Sequence, residues 1–421
     1  MSADIDDVSS NGERTIAERC DRRKLLVVLA AFLIQVTGLG TITSVMQDYY
    51  EQHRFGTDPA TVIYLSFVGS IANFVLNLLG IFVQILISYT GLRSGIFIAG
   101  ILCTGGLELA SLSTEIWHLY LTQGVLFGAG CSIIFYVGMS SVSEWFDKRR
   151  GVALGIVSSG ACVGGLLIPF LMSALNRSLG SGWCYRIMGY MSFVVCVISC
   201  LLFKEKEEYL ERKQERKTIR GIIKTSILKD AKFALWCTAD ILMEMGYYVP
   251  YFFLPSYATY LGLSDSYGSA LISIASATNS MGRILAGWTA DKIGHLNTVI
   301  ITGFVSGMSA LLLWTMAHDF TILCIFAAVF GFFGGVFIAL GPSITMIVSG
   351  TENFASAYSL FLLITVISMF GPNIAGAMEA AIASTAFNTY KIFTGVAYLS
   401  GTLLLVFLKL TTTSGKVLAK I

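Results

Sequence analysis

Apolar runs long enough to cross a bilayer recur along almost the whole chain, and no other feature of the sequence restricts the fold so tightly. A membrane-spanning helix needs about 20 consecutive, mostly apolar residues. Broken at charges and turn clusters, the sequence offers such runs at 25–46, 61–88, 92–113, 117–143, 151–175 and 183–203. A second set follows at 233–260, 267–290, 298–316, 320–348, 354–383 and 390–409. Backbone polar groups in hydrocarbon have no water to bond, so runs of this length are satisfied as α-helices. Only 13% of the 421 residues are charged and 55% are hydrophobic. A soluble domain carries about 25% charge, so this chain cannot clothe a water-exposed surface. The expectation is an all-α, multi-pass membrane protein of twelve spans in two bundles of six.

The remaining charge gives the expected boundaries and orientation. Residues 1–24 read as a polar tail, 25–203 as the first bundle, 204–232 as a linker, 233–410 as the second bundle and 411–421 as a short tail. The linker holds ten Lys/Arg against six acids. Basic residues collect before span 1 (Arg14, Arg19, Arg22, Arg23, Lys24), after span 2 (Arg93), after span 4 (Lys148, Arg149, Arg150), in the linker, after span 8 (Lys292) and after span 12 (Lys416, Lys420). All of these fall on one side; the other side offers Arg54 and Arg177 among acids such as Asp48, Asp58, Glu115, Asp265 and Asp319. By the positive-inside rule both termini and the linker are expected to be cytoplasmic. The plasma membrane is the expected host, the chain is expected to be a monomer, and the short Asn176-Arg177-Ser178 loop is expected to escape glycosylation.

Several function classes lack their residues. The nine cysteines form no C-x-x-C pair, and no histidine spacing implies a metal, so no metal or cofactor is expected. A membrane enzyme needs a nucleophile, base or metal cluster at depth, and a channel needs charge rings or a carbonyl filter; neither pattern occurs. Nothing points to nucleic acid. A carrier of small solutes remains, with a nutrient sensor on the same fold as its competitor.

Within SMGRILAGWTADKIGHLN (280–297), Gly287-x-x-x-Asp291-Lys292-x-Gly294 joins spans 8 and 9. Gly287 permits close helix approach and Gly294 suits a tight turn, while Asp291 is placed to cap a neighbouring helix N-terminus. An ordinary polar turn is the plainer reading. In the first half, Gln84, Ser88 and Gly91 fall where Gly287, Asp291 and Gly294 fall. This segment resembles the loop signature of the major facilitator superfamily, whose two six-helix halves rock about a central substrate site. EWFDKRRGVALGIVSSGACVGG (144–165), GYYVPYFFLPSYA (246–258) and the Gly282-Arg283 pair resemble the monocarboxylate transporter family, in particular fungal-type members that include monocarboxylate permease homologues and riboflavin carriers. Lys148, Arg149 and Arg150 read as positive-inside anchors, with a gating role as the alternative, and Gly151, Gly155, Gly160 and Gly164 as small-residue packing.

An ionisable group at the bilayer centre costs at least about 2.5–3.5 kcal/mol on insertion scales, so it faces a cavity or a partner. Counting about seven residues from the linker-side ends, at 1.5 Å each, puts Arg283 and Asp240 at about the same depth, ~10 Å in. Glu244 and Asn279 lie one turn deeper. The resemblance implies that Arg283 attracts a substrate carboxylate and that an acid one turn earlier couples protons. Here that place is Asn279, which cannot titrate, and span 1 lacks the family's acidic-Gly-Gly-Trp motif, offering only Gln35 and hydroxyls. Proton coupling is therefore expected at Asp240 or Glu244, linked to Arg283; a static ion pair is the alternative. Tyr247, Tyr248 and Tyr251 share a face with Glu244 and suit either a cavity wall or packing. Ser66, Ser70, Asn73, Asn77 and Gln84 form a polar stripe on span 2. Pro250 and Pro255 are expected to interrupt span 7, as Pro342 and Pro372 do spans 10 and 11. The expected cargo is a small organic anion, monocarboxylate-like, moved by alternating access with proton symport; riboflavin or another non-monocarboxylate solute is the alternative.

Overall fold

The computed structural model describes residues 23–41, 59–146, 148–203, 222–382 and 386–413. Both expected tails up to Arg22 and beyond Thr413, most of the linker, and the acids Asp48 and Asp58 lie outside the described residues. In the first half, α1 (Arg23–Thr41) is followed by α2, made of Pro59–Leu78 and Gly80–Thr90, and then by α3 (Leu92–Ser111) and α4 (Ile116–Trp145). The stretch Arg150–Leu202 supplies α5 and α6, divided at Gly180. The second half comprises α7 (Ala231–Tyr260), α8 (Asp265–Ile293), α9 (His295–Trp314), α10 (Phe320–Ser349), α11 (Phe354–Ala381) and α12 (Asn388–Thr412).

Where each helix turns back follows from local residue chemistry. Gly91 (φ 92°) and Gly294 (φ 105°) reverse the chain between α2 and α3 and between α8 and α9, in a backbone region that side chains with a Cβ rarely enter. The α5–α6 junction departs from the expected loop. The helix runs on through the 176–178 sequon, leaving Asn176 buried, and a single glycine, Gly180 at φ 80° and ψ 168°, makes the reversal. The prolines behave differently from expectation as well. Helix α7 continues through Pro250 and Pro255, and α10 breaks at Gly335 rather than at Pro342. Only Pro372 has a nearby consequence: the turn before it, Val366–Phe370, tightens to 3-10 geometry, where a missing N–H does least harm.

Eight helical stretches of the described chain are long and apolar enough to cross a membrane, and α2, bent by 53° between Leu78 and Gly80, makes a ninth. Helices α7 and α8 fall short of that apolarity because they carry Asp240, Glu244, Asn279, Arg283 and Asp291. Large apolar side chains such as Phe82, Leu201, Phe304, Leu403 and Phe407 stay exposed on the outer faces, as lipid contact requires. Inside the first half α3 packs along α6, with Thr104 Oγ1 donating to the Gly189 carbonyl at 3.0 Å. Inside the second half α7 packs along α12 and α8 along α10, around the buried aromatics Trp236, Phe330, Phe337 and Tyr398. The described halves meet chiefly along two seams, α5 against α8 and α2 against α11, with α10 also packed on the Arg150–Leu202 stretch and on α4.

Candidate functional site

A small cavity of about 30 Å³, room for one or two waters, lies between the halves, walled by α2 and α4 on one side and by α7, α10 and α11 on the other. Asp240 and Glu244, one helical turn apart on α7, both face it, with relative exposures of 3% and 9%. Glu244 accepts hydrogen bonds from Ser368 Oγ at 2.6 Å and from Tyr248 Oη at 3.4 Å. Ser368 reaches it from the tightened turn of α11. Asp240 makes no hydrogen bond to a described residue. The rest of the wall is aromatic and amide: Phe135, Phe337, Tyr358, Phe361 and Asn77.

Arg283 belongs to a different cluster. Its side chain is 6% exposed and lies off the cavity wall. Nε donates to Asn279 Oδ1 at 2.7 Å, and Nη1 donates across the seam to the Ser158 carbonyl of α5 at 3.0 Å. Asn279 Nδ2 in turn donates to Tyr247 Oη at 2.8 Å and Tyr251 Oη at 3.0 Å, while its Oδ1 also accepts from Cys162 Sγ at 3.6 Å. No carboxylate lies within ion-pair distance of Arg283 among the described residues. The expected Arg283 pairing with Asp240 or Glu244 is therefore absent. Counting residues from helix ends fixed depth only to about a turn and gave no azimuth. Asn279 meets Tyr247 and Tyr251, beyond Glu244 on α7, and the acids turn away from α8 toward α11. A buried guanidinium without an anion is tolerable where fixed carbonyl and amide oxygens accept its hydrogen bonds.

The Gly287–Gly294 motif closes the linker-side end of the α5–α8 seam. The Asp291 carboxylate accepts from the backbone N–H groups of Gly151 at 2.8 Å and Val152 at 2.9 Å, the first turn of α5. These are charge-assisted bonds onto the positive end of a helix. Close approach makes them reachable: a Cβ on Gly151 would strike the Gly287 carbonyl, and one on Gly287 would strike Gly151. Gly155 likewise meets the Arg283 backbone, whereas Gly160 and Gly164 face α1. Lys292 Nζ sits 3.4 Å over the Trp288 ring. Arg149 occupies the left-handed region (φ 60°) and is exposed, as is Lys148, while Arg150 Nε donates to the Phe146 carbonyl at 2.7 Å, ending α4.

The second seam closes at the same end. Gln84 Oε1 accepts from Ser359 Oγ of α11, and Gln84 Nε2 donates to the Ile222 carbonyl at 3.0 Å. Lys224 N donates to Ser356 Oγ at 2.7 Å and Lys224 Nζ to Asn353 Oδ1 at 2.8 Å. Tyr136 Oη donates to the Ala355 carbonyl at 3.3 Å.

The expected site residues thus divide. Asp240, Glu244 and Asn77 line the cavity; Tyr248 serves Glu244; Asn279, Arg283, Tyr247 and Tyr251 form the seam cluster. Asn73 donates to the Gly69 carbonyl of its own helix at 3.1 Å. Sequence reasoning missed Ser158, Cys162, Ser356, Ser359, Ser368 and Tyr358, small or aromatic residues whose role depends on a distant partner. It also missed Lys391, 6% exposed within α12, whose Nζ donates to Tyr257 Oη at 2.9 Å.

Comparison with known proteins gives a consistent picture. A family model described as "Major Facilitator Superfamily" matches residues 25–372. An "MFS-type transporter" of Gibberella moniliformis is 28% identical over 397 residues, covering 94% of this chain and 92% of that protein. The "Agnestins efflux protein" of Paecilomyces divaricatus is 26% identical, covering 97% and 92% respectively, and the "Fujikurins efflux protein" of Gibberella fujikuroi 29%, covering 89% and 80%. Among solved structures, the transporter FucP in its outward conformation superposes with a TM-score of 0.70 at 12% identity, over 91% of this chain and 98% of that one. The proton:xylose symporter XylE gives 0.69 at 14%, over 91% and 95%. A multi-pass, all-helical membrane chain with this closure signature and these relatives is a transporter rather than an enzyme, and it belongs to the Major Facilitator Superfamily.

Proposed function

We propose that this chain is a proton-coupled secondary carrier that moves a small organic solute by alternating access through the cavity between its halves. The observation that carries the reading is the placement of Asp240 and Glu244 on the wall of that cavity, with no cation paired to either among the described residues. A carboxylate at membrane depth is tolerable when protonated, and strongly attracts a cation when not. The pair therefore ties cavity occupancy to proton binding. The Lys/Arg-rich ends are assigned to the cytoplasm, so both seams close on the cytoplasmic side, and the cavity serves a state turned outward. The plasma membrane and a monomeric carrier complete the assignment. The names of two relatives, both efflux proteins, favour export.

A monocarboxylate-like anion moved by symport is the second reading, favoured by Arg283 alone. Its guanidinium bridges α8 to the Ser158 carbonyl of α5, so opening that seam frees the fork, which grips carboxylates bidentately. The test of the carrier reading is uptake into liposomes under an imposed pH gradient, with cargo chosen by thermal shift from carboxylates, flavins and amines. Asp240→Asn or Glu244→Gln is expected to abolish gradient-driven accumulation. Unchanged proton dependence in both variants refutes the reading.

A further inference from the structure

We propose that the cavity, widened as the halves part, takes a small organic cation with an aromatic or alkyl body, its charged centre beside Asp240, and that cargo and proton occupy the carboxylates by turns, making the chain a cation–proton exchanger. This rests on the carrier reading above and names its cargo and coupling sense. Three observations converge on it. Among the described residues the cavity wall carries two carboxylates and no Lys, Arg or His. Arg283, the buried cation of α8, has its Nε and Nη1 committed to Asn279 and the Ser158 carbonyl. The remaining wall includes the rings of Phe135, Phe337, Tyr358 and Phe361, with Tyr358 and Phe361 held by neighbouring rings at 6.2 Å from each other and Phe361 stacked on Trp236 at 5.3 Å. Ring faces attract a cation, and more strongly where water is excluded.

The two acids differ. Glu244 already accepts from Ser368 and Tyr248, whereas Asp240, 97% buried, keeps its oxygens free of described donors and faces the cavity. Asp240 is therefore the cargo-binding carboxylate, and Glu244 the oriented partner one turn away. The titratable groups facing the pair are Cys237 and Tyr248 on α7, Tyr358 on α11 and Tyr398 on α12. None of these is a cation, so among the described residues nothing neutralises the pair, and proton or cargo is left to do so. A cation that enters displaces a proton from the carboxylate, the O–H bond breaking as the ion pair forms. The proton leaves to the compartment the cavity faces, and the return step reloads it from the other side.

The test uses the full chain in liposomes with the membrane potential clamped by potassium and valinomycin. The probes are 1-methyl-4-phenylpyridinium, a permanent aromatic cation, and benzoate. The expected result is accumulation of the cation in acid-inside vesicles, with proton efflux read by an internal dye and no benzoate movement. Asp240→Asn is expected to weaken cation binding by about tenfold or more and to end the exchange, and Asp240→Glu to restore part of it. Benzoate accumulating with protons in alkaline-inside vesicles overturns the cargo class while leaving the carrier reading standing. Cation accumulation that ignores the pH gradient overturns the exchange, and movement of neither probe overturns the proposal outright.

Discussion

Replacing Asp291 by Asn isolates the contribution of one carboxylate to the closed seam. The side chain keeps its size and sits with only 16% exposure, so its packing against α5 survives. What changes includes two charge-assisted bonds, at 2.8 and 2.9 Å, from Gly151 N and Val152 N, and the 3.7 Å approach of His295 Nε2. An amide offers one neutral oxygen to two donors and turns its own N–H group toward the second. Hydrogen bonds to charged groups contribute about 1.5–3 kcal/mol each, against about 0.5–1.5 for neutral ones, and the favourable helix-end term of about 0.3–1 kcal/mol is lost as well. Partial solvation reduces the sum to about 1–2 kcal/mol, a factor of about 5–30 in the ratio of closed to open seam. Cys162, half-buried in the seam and donating to Asn279, is a native reporter of that ratio. In a background with Cys20, Cys200 and Cys324 changed to Ser, the initial rate of Cys162 alkylation by a membrane-impermeant maleimide should rise by that factor. Equal rates in both proteins, at equal monodispersity, would show that Asp291 does not hold the seam.

Two further outcomes follow from the same seam. Gly287→Val puts a branched side chain where a Cβ already meets the Gly151 backbone. The two helices must separate, so uptake should fall below detection while expression and thermal stability stay near wild type; retained transport refutes the close-approach reading. Arg283→Lys keeps the charge but cannot serve Asn279 Oδ1 and the Ser158 carbonyl with one planar group. Transport should drop about tenfold, the effect of about 1.4 kcal/mol, with substrate binding measured by calorimetry moving less than turnover; the reverse split would make Arg283 a cargo anchor instead.

Spans were legible because hydrocarbon leaves a chain of this composition few options, but the α5–α6 and α8–α9 junctions, each turned by a single glycine, were drawn too wide. The spacing of Gly287, Asp291 and Gly294 was legible because each role depends on local backbone. The partners were not. Tyr247, Tyr248 and Tyr251 lie within five residues, yet Tyr248 bonds Glu244 while the other two bond Asn279. A change of 100° per residue decides which cluster a side chain joins, and residue counts carry no such azimuth across helices. Arg283 was judged by its appetite for carboxylate, but its partner across the seam is a main-chain carbonyl, an acceptor every residue owns and no motif marks. Ser368, which donates to Glu244, comes from a 3-10 turn that no sequence motif marks.

The end of the linker is wedged into the machine it connects. Ile222 is 2% exposed, and its carbonyl and Lys224 bridge Gln84 of the first half to Ser356 and Asn353 of the second. Parting α2 from α11 thus requires unseating a piece of the tether, so the rocking step and the tether's position share one free-energy difference. Any molecule or modification that favours the tether seated or unseated biases the carrier by that same differential amount, without coming near the cargo.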